Sequence, residues 1–234
     1  MKSVSSNREL KQRVGMNAAD FVQDGMKVGI GTGSTVAFFI EELGRRVKSG
    51  LNILGVPTSY AARMLCLEHG IPVQDSMLSD RLDLAVDGAD EIDPYLNAIK
   101  GGGAAHSCEK IIASMADEFI LIADETKLVS SLCRKFPLPV EIIPPALSFA
   151  KKQIRLLGGT AELRGAIRKD GPVITENGNF ILDILFSDPP ENLERLDAEL
   201  KKIPGLLETG LFLGIAKKAL IGFQDKVELL LPKG

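Results

Sequence analysis

The chain has 234 residues, 45% of them hydrophobic and 25% charged, the mix of an ordinary soluble globular protein. Its 28 basic and 31 acidic side chains leave a net charge of −3, and without a dense basic stretch it offers little to nucleic-acid phosphates. No apolar run reaches the about 18 residues of a membrane span, and Met1–Glu9 lacks the apolar core of a secretion signal, so a cytoplasmic protein is expected, with neither nucleic acid nor membrane as partner. Cys66, Cys108 and Cys133 form no CxxC pair, and His69 and His106 are too few to complete a zinc cluster. At about 150 residues per domain the length suits one to two domains, large enough to need no disulfide or metal for stability.

Leu10, Val14, Ala18 and Val22 recur every fourth residue and predict an opening helix with one apolar face, stopped by Gly25. Met26–Ile30 reads as a short buried strand running into Gly31-Thr-Gly-Ser-Thr35. A helix carrying Val36, Phe39, Ile40, Leu43 and Val47 on one face then ends near Gly50. Leu51–Val56 is a strand, Ser59–His69 a helix, Leu82–Val86 a strand, Glu109–Met115 a helix and Phe119–Ala123 a strand. This alternation predicts βαβ units: an α/β fold with a mostly parallel, Rossmann-like sheet and helices on both faces. Pro137, Pro139, Pro144 and Pro145 mark a boundary or rigid connector. Beyond it, Ala146–Leu157 looks helical and Thr160–Arg168 extended. Asn177-Gly178, between Val173–Thr175 and Phe180–Phe186, signals a hairpin with a type I′ turn, and Pro189–Lys202 reads as a helix starting at proline. The expected division is an α/β catalytic domain, 1–136 with 209–234, and a smaller α+β domain, 137–208, with the apolar segment Gly210–Leu231 returning to the first sheet.

The polar motifs follow strands, where ligands sit in parallel sheets. The glycine-rich loop Gly29–Thr35 pairs a flexible backbone with a helix N-terminus, and Thr32, Gly33, Ser34 and Thr35 could cradle an anion. A Walker loop would need a lysine before its last hydroxyl, and none is present. A dinucleotide site would need a carboxylate at the tip of the second strand, where Gly55-Val-Pro-Thr58 has none. A small sugar phosphate or similar anion remains, beside the plain alternative of a capped strand–helix turn. Asp87, Asp90 and Glu91 gather after a strand, where mutual repulsion can raise one pKa for acid–base work; Mg²⁺ binding and a solvated Asp-Gly turn are the rivals. Lys100 precedes three glycines, Gly101, Gly102 and Gly103, a place for close backbone approach with a cation beside it. Glu109 follows in the first turn of a helix, and Lys127 comes after the next strand. Phosphate donors, a cation and carboxylates in one cleft suit proton abstraction next to a carbonyl.

Asp87-Gly-Ala-Asp-Glu-Ile92, Ile99-Lys-Gly-Gly-Gly-Ala-Ala105 and Glu109-Lys-Ile-Ile-Ala113 resemble the signature blocks of the type A ribose-5-phosphate isomerase family. So do Gly31–Thr35, Phe136-Pro-Leu-Pro-Val-Glu141, Asn177-Gly-Asn179 and the Gly210-Leu-Phe segment, in the family's order from Glu9 onward. The resemblance implies aldose–ketose interconversion of ribose 5-phosphate and ribulose 5-phosphate in the non-oxidative pentose phosphate pathway, without cofactor or metal, by a homodimer or homotetramer. It implies that Glu109 is the base, that Asp87 assists ring opening, and that Asp90 and Lys100 hold hydroxyls and stabilise the oxyanion. Thr32, Gly33, Ser34, Thr35, Gly88, Ala89, Gly101, Gly102, Gly103, Lys127 and Lys11 would bind the substrate. The chain departs from the pattern at Cys108, where the family commonly has arginine, and at His106, where it has an apolar residue. A non-catalytic sugar-phosphate sensor is the main alternative, although the chain has no room for a separate DNA-binding module. A coenzyme A-dependent acyl transferase, with Glu109 as the nucleophilic carboxylate, is a third reading.

Overall fold

The computed structural model describes residues 4–233; Met1, Lys2 and Ser3, with which the Met1–Glu9 segment begins, and Gly234 lie outside the described residues. In chain order come α1 (Val4–Ala18), β1 (Lys27–Ile30), α2 (Ser34–Lys48), β2 (Leu54–Pro57), α3 (Tyr60–Glu68) and β3 (Leu82–Gly88). Next are β4 (Glu91–Ile92), β5 (Ala98–Ile99), α4 (His106–Met115), β6 (Ala116–Asp124), β7 (Leu138–Ile142), α5 (Leu147–Leu156) and β8 (Gly159–Leu163). Last come β9 (Phe180–Phe186), α6 (Leu193–Lys201), β10 (Leu206–Thr209), β11 (Leu211–Phe212), β12 (Lys218–Gly222) and β13 (Val227–Leu230). No described helix is long and apolar enough to cross a membrane.

The main sheet has the order β13-β12-β6-β3-β1-β2, parallel except for β13. Alternate residues of each strand feed two cores. Val28, Leu84, Val86, Ile120 and Ile122 pack with Val14 and Ala18 of α1, Phe39 and Leu43 of α2, and Cys66 of α3. Ala85, Phe119, Leu121 and Ala123 face the other way, against Ile112 and Ala113 of α4 and against Ile92, Ala98 and Phe212 from the three-stranded sheet β11-β5-β4. Both faces are thus covered as expected, one of them with the help of a small sheet that short strand lengths concealed from periodicity.

This topology opens the cleft. From β1 the chain moves outward through α2 to β2, whereas from β3 it moves in the opposite direction through α4 to β6. Right-handed crossovers therefore place α2 and α4 on opposite faces, and the loops after the adjacent strands β1 and β3 diverge.

A four-stranded antiparallel sheet, β10-β7-β9-β8, carries α5 and α6 on one face through Ala150, Ile154, Leu196 and Leu200, packed on Leu138, Val140, Leu182 and Ile184. The proline-rich segment is built into it: Pro139 lies within β7, opposite Asp183, and Pro144 and Pro145 open a short 3₁₀ turn before α5. Three local expectations are corrected. The Asn177-Gly178 reversal is not a type I′ turn, because only Gly178 of the pair has positive φ (79°). Its Thr175 N–H donates to Asn179 and its Gly178 N–H to Thr175, while Ile174 makes only an isolated bridge to Phe180. The strand expected over Thr160–Arg168 stops at Leu163. The last helix starts at Leu193 rather than at Pro189, because the Asn192 side chain caps it by accepting from the Arg195 N–H at 2.7 Å.

Candidate active site

Asp87, near the end of β3, is 3% exposed, and its position depends on Gly31: a Cβ at residue 31 would lie 2.0 Å from Asp87 Oδ1. That oxygen accepts the N–H groups of Thr32 (3.0 Å) and Gly88 (2.7 Å). The other oxygen is 2.9 Å from Lys100 Nζ, which lies 3.0 Å from Glu109 Oε2 and donates to the Gly88 carbonyl at 2.7 Å. Lys100 and Glu109 are 3% and 4% exposed, so one ammonium is buried between two carboxylates. The Phe212 ring, 5.3 Å from Nζ, backs it.

Burial pushes the Glu109 carboxyl up to about 7, with the negative charge of Asp87 adding to the effect and Lys100 opposing it. Burial likewise raises Asp87 against the pull of Lys100. Burial works against the charge on Lys100, but the two carboxylates outweigh it and hold the ammonium protonated. The result is a permanent cation beside a carboxyl poised to exchange a proton near neutrality.

Around this floor lies a cleft of about 220 Å³. One wall is Thr32, Gly33, Ser34 and Thr35 at the start of α2, with Lys11 Nζ on Ser34 Oγ at 3.0 Å. Thr32 Oγ1 is anchored 2.9 Å from Thr58 Oγ1 and 2.6 Å from Ser59 Oγ. Gly88, Ala89 and Asp90 form a second side, Gly101, Gly102 and Gly103 a third, and Lys127 closes the end beyond β6. Asp90 Oδ2 accepts the Gly102 N–H at 2.8 Å. The structure thus brings together the residues expected to bind or transform a substrate except Asp87, which lies beneath the floor and reaches the cleft through Lys100, and the third carboxylate of the cluster, Glu91, points elsewhere. Val36, Ile122, Ala123 and Asp124 also line it and were not anticipated; Asp124, at the tip of β6, was the one with a signal, a carboxylate at a strand end.

A family model described as ribose 5-phosphate isomerase A (phosphoriboisomerase A) matches residues 54–226. The chain belongs to this family. Among its relatives, ribose-5-phosphate isomerase A of Methanothermobacter thermautotrophicus is 49% identical over 224 residues, covering 94% of this chain and 97% of the relative. That of Thermosynechococcus vestitus is 48% identical over 217 residues, 92% of each chain. The solved structure of ribose 5-phosphate isomerase A from Methanocaldococcus jannaschii superposes with a TM-score of 0.92 at 42% identity, covering 96% of this chain and 99% of that one. A D-ribose-5-phosphate isomerase solved in complex with phospho-erythronic acid gives 0.92 at 46% identity, covering 95% and 98%.

Within this member of the family, Glu91 is a correction to the three-carboxylate cluster. It is buried away from the cleft and accepts the N–H groups of Lys135 and Phe136. Asp90 lies in the bend between β3 and β4, whereas Glu91 opens β4 and is held there by those two N–H groups. His106 and Cys108 also leave the cleft. Burial holds His106 down to about 4, with Nε2 3.3 Å from the Glu208 carbonyl, so it packs as a neutral ring. Burial pushes the Cys108 thiol up, which disfavours the nucleophilic thiolate. The Phe136–Glu141 and Asn177–Asn179 blocks meet behind α4: Glu141 accepts from Ser107 Oγ, from Thr175 Oγ1 (2.7 Å), and from the side-chain amides of Asn177 (3.1 Å) and Asn179 (2.9 Å).

Proposed function

We propose that this chain interconverts D-ribose 5-phosphate and D-ribulose 5-phosphate, a step of the non-oxidative pentose phosphate pathway, by proton transfer through an enediol(ate). The observation that carries this reading is the Lys100 ammonium buried between Asp87 and Glu109 at the floor of a cleft rimmed by anion donors. As a carboxylate, Glu109 takes the C2 proton of the open-chain aldose and returns it to C1, while a second proton passes from O2 to O1. Lys100, fixed by its two carboxylates, stabilises the oxyanion that develops on the carbonyl, and Asp90 holds a hydroxyl. Asp87 assists ring opening. Thr32 to Thr35 at the positive end of α2, the glycine loop, Lys127 and Lys11 bind the remainder of the sugar phosphate.

The division into 1–136 with 209–234 and 137–208 belongs to the same reading. Its support is that the six-stranded sheet draws on residues 27–124 and 218–230, and the four-stranded sheet on 138–209. A homodimer or homotetramer in the cytoplasm completes it. The test is conversion of ribose 5-phosphate to ribulose 5-phosphate by EDTA-treated protein, followed by ketose absorbance. Turnover at undiminished rate is expected. Turnover that needs added Mg²⁺ would recast the carboxylates as metal ligands, and tight binding without turnover would favour the sensor.

A further inference from the structure

Arg164 belongs to none of the motifs above, yet it reaches the substrate loop from the four-stranded sheet. It directly follows β8, and its backbone is held on both sides, its N–H donating to Ile181 and its carbonyl accepting from Val173, each at 2.9 Å. The guanidinium forks onto both carboxylate oxygens of Asp183 on β9, with Nε 2.8 Å from Oδ2 and Nη2 on Oδ1. The remaining nitrogen, Nη1, donates to the Gly101 carbonyl at 2.7 Å and lies 3.3 Å from that of Gly102.

A trans peptide is planar with its C=O and N–H on opposite sides, so a partner that fixes the carbonyl also aims the amide. The Gly101 carbonyl, held by Arg164 and by the Ala104 N–H at 3.0 Å, belongs to the same peptide as the Gly102 N–H that grips Asp90 Oδ2 at 2.8 Å. Gly101 has φ +111°, a conformation open to glycine, and a soft loop of three glycines does not keep such an orientation unaided. A planar guanidinium oriented by a bidentate carboxylate is a rigid brace for it. The same geometry turns the Gly103 N–H away from Arg164.

We propose that Arg164, oriented by Asp183, is a positioning residue: it fixes the Gly101–Gly102 peptide so that Asp90 and the glycine loop are preset for the sugar phosphate. The role rests on the function proposed above. It is tested by steady-state kinetics on ribose 5-phosphate and by calorimetric binding of phospho-erythronic acid, for wild type, Arg164→Met, Arg164→Lys and Asp183→Asn, with Tm measured alongside. Arg164→Met is expected to raise KM and the Kd for phospho-erythronic acid together by about tenfold or more. Arg164→Lys cannot fork onto Asp183 while holding Gly101, so it should show the same shift, as should Asp183→Asn to a smaller degree. A further variant, Arg164→Ala, which leaves room for a free guanidinium ion, should lose affinity like Arg164→Met and regain part of it on addition of guanidinium at millimolar concentration.

Folded variants with lowered Tm but KM and Kd within about twofold of wild type would show a merely structural brace and overturn the proposal. If Arg164→Met does not fold, Arg164→Lys decides by the same readouts. Wild-type protein that binds phospho-erythronic acid but does not turn over ribose 5-phosphate would overturn the isomerase reading, and the Kd ratios would still decide the role of Arg164. Wild-type protein that binds neither compound overturns both.

Discussion

Glu109 shows how a single residue acquires its chemistry. Its ordinary carboxyl comes to titrate near neutrality because α4 buries it beside Asp87, while Lys100 keeps it from rising further, which suits it to the proposed role of base. Glu109→Gln is expected to lower kcat by about 10²–10⁴-fold in the isomerase assay, the usual contribution of a general base. Because the base must be ionised, kcat/KM should climb as pH rises toward about 7 and level off above it, as a pH–rate profile will record. His106 titrates in the opposite sense. Folded, its pKa is held down to about 4 from the ordinary 6.5, so below about 6.5 the unfolded chain takes up a proton that the folded chain refuses. Its contribution to stability is therefore present above about 6.5 and lost as pH falls toward 4. His106→Leu should remove that loss, so urea unfolding of the two proteins should diverge in favour of the variant on acidification.

At the scale of elements, the site depends on what lies between a strand and its helix. The loops after β1 and β3 were legible as polar punctuation following apolar runs, and so was the start of α2. The contact between those loops was not legible: Gly31 is required because Asp87, 56 positions on, occupies the space of its side chain. Gly31→Ala should displace Asp87 and with it Lys100, and a misplacement near 1 Å is expected to cost about 10²-fold in kcat/KM. Activity close to wild type would show that Asp87 tolerates the shift. The short strands β4, β5 and β11, two residues each, escape any periodic pattern, since a period cannot be recognised in one repeat. The misplaced start of α6 has a similar origin: proline is compatible with a first helical turn, but Asn192 supplied the cap.

At the scale of the whole molecule, polar ties join the four-stranded sheet to the loops and helix of the cleft, among them those of Arg164 and Glu141. Arg164 reaches Gly101, and Glu141 on β7 gathers Ser107 from α4 with Thr175, Asn177 and Asn179 from the reversal before β9. Burial alone would raise the Glu141 carboxyl, but these four donors hold it below the usual range. Glu141→Ala would strand several of them at once and should destabilise the fold by about 3 kcal/mol or more in equilibrium unfolding. A change under about 1 kcal/mol would mean that water replaces the carboxylate.

The βαβ alternation of the longer strands and helices up to β6, the apolar faces and the residue types of the site were determined by the sequence alone, because periodicity and motif spacing are local properties of the chain. The family resemblance was also carried by contiguous blocks, from Asp87–Ile92 to Glu109–Ala113. Only the tertiary structure decided that Glu91 leaves the cleft while Asp87 and Glu109 share one ammonium, that Glu109 titrates near neutrality, and that Arg164 and Glu141 brace the site from a second sheet. Those outcomes depend on burial and on distances between residues far apart in sequence, which are set by how the sheets and helices pack against one another.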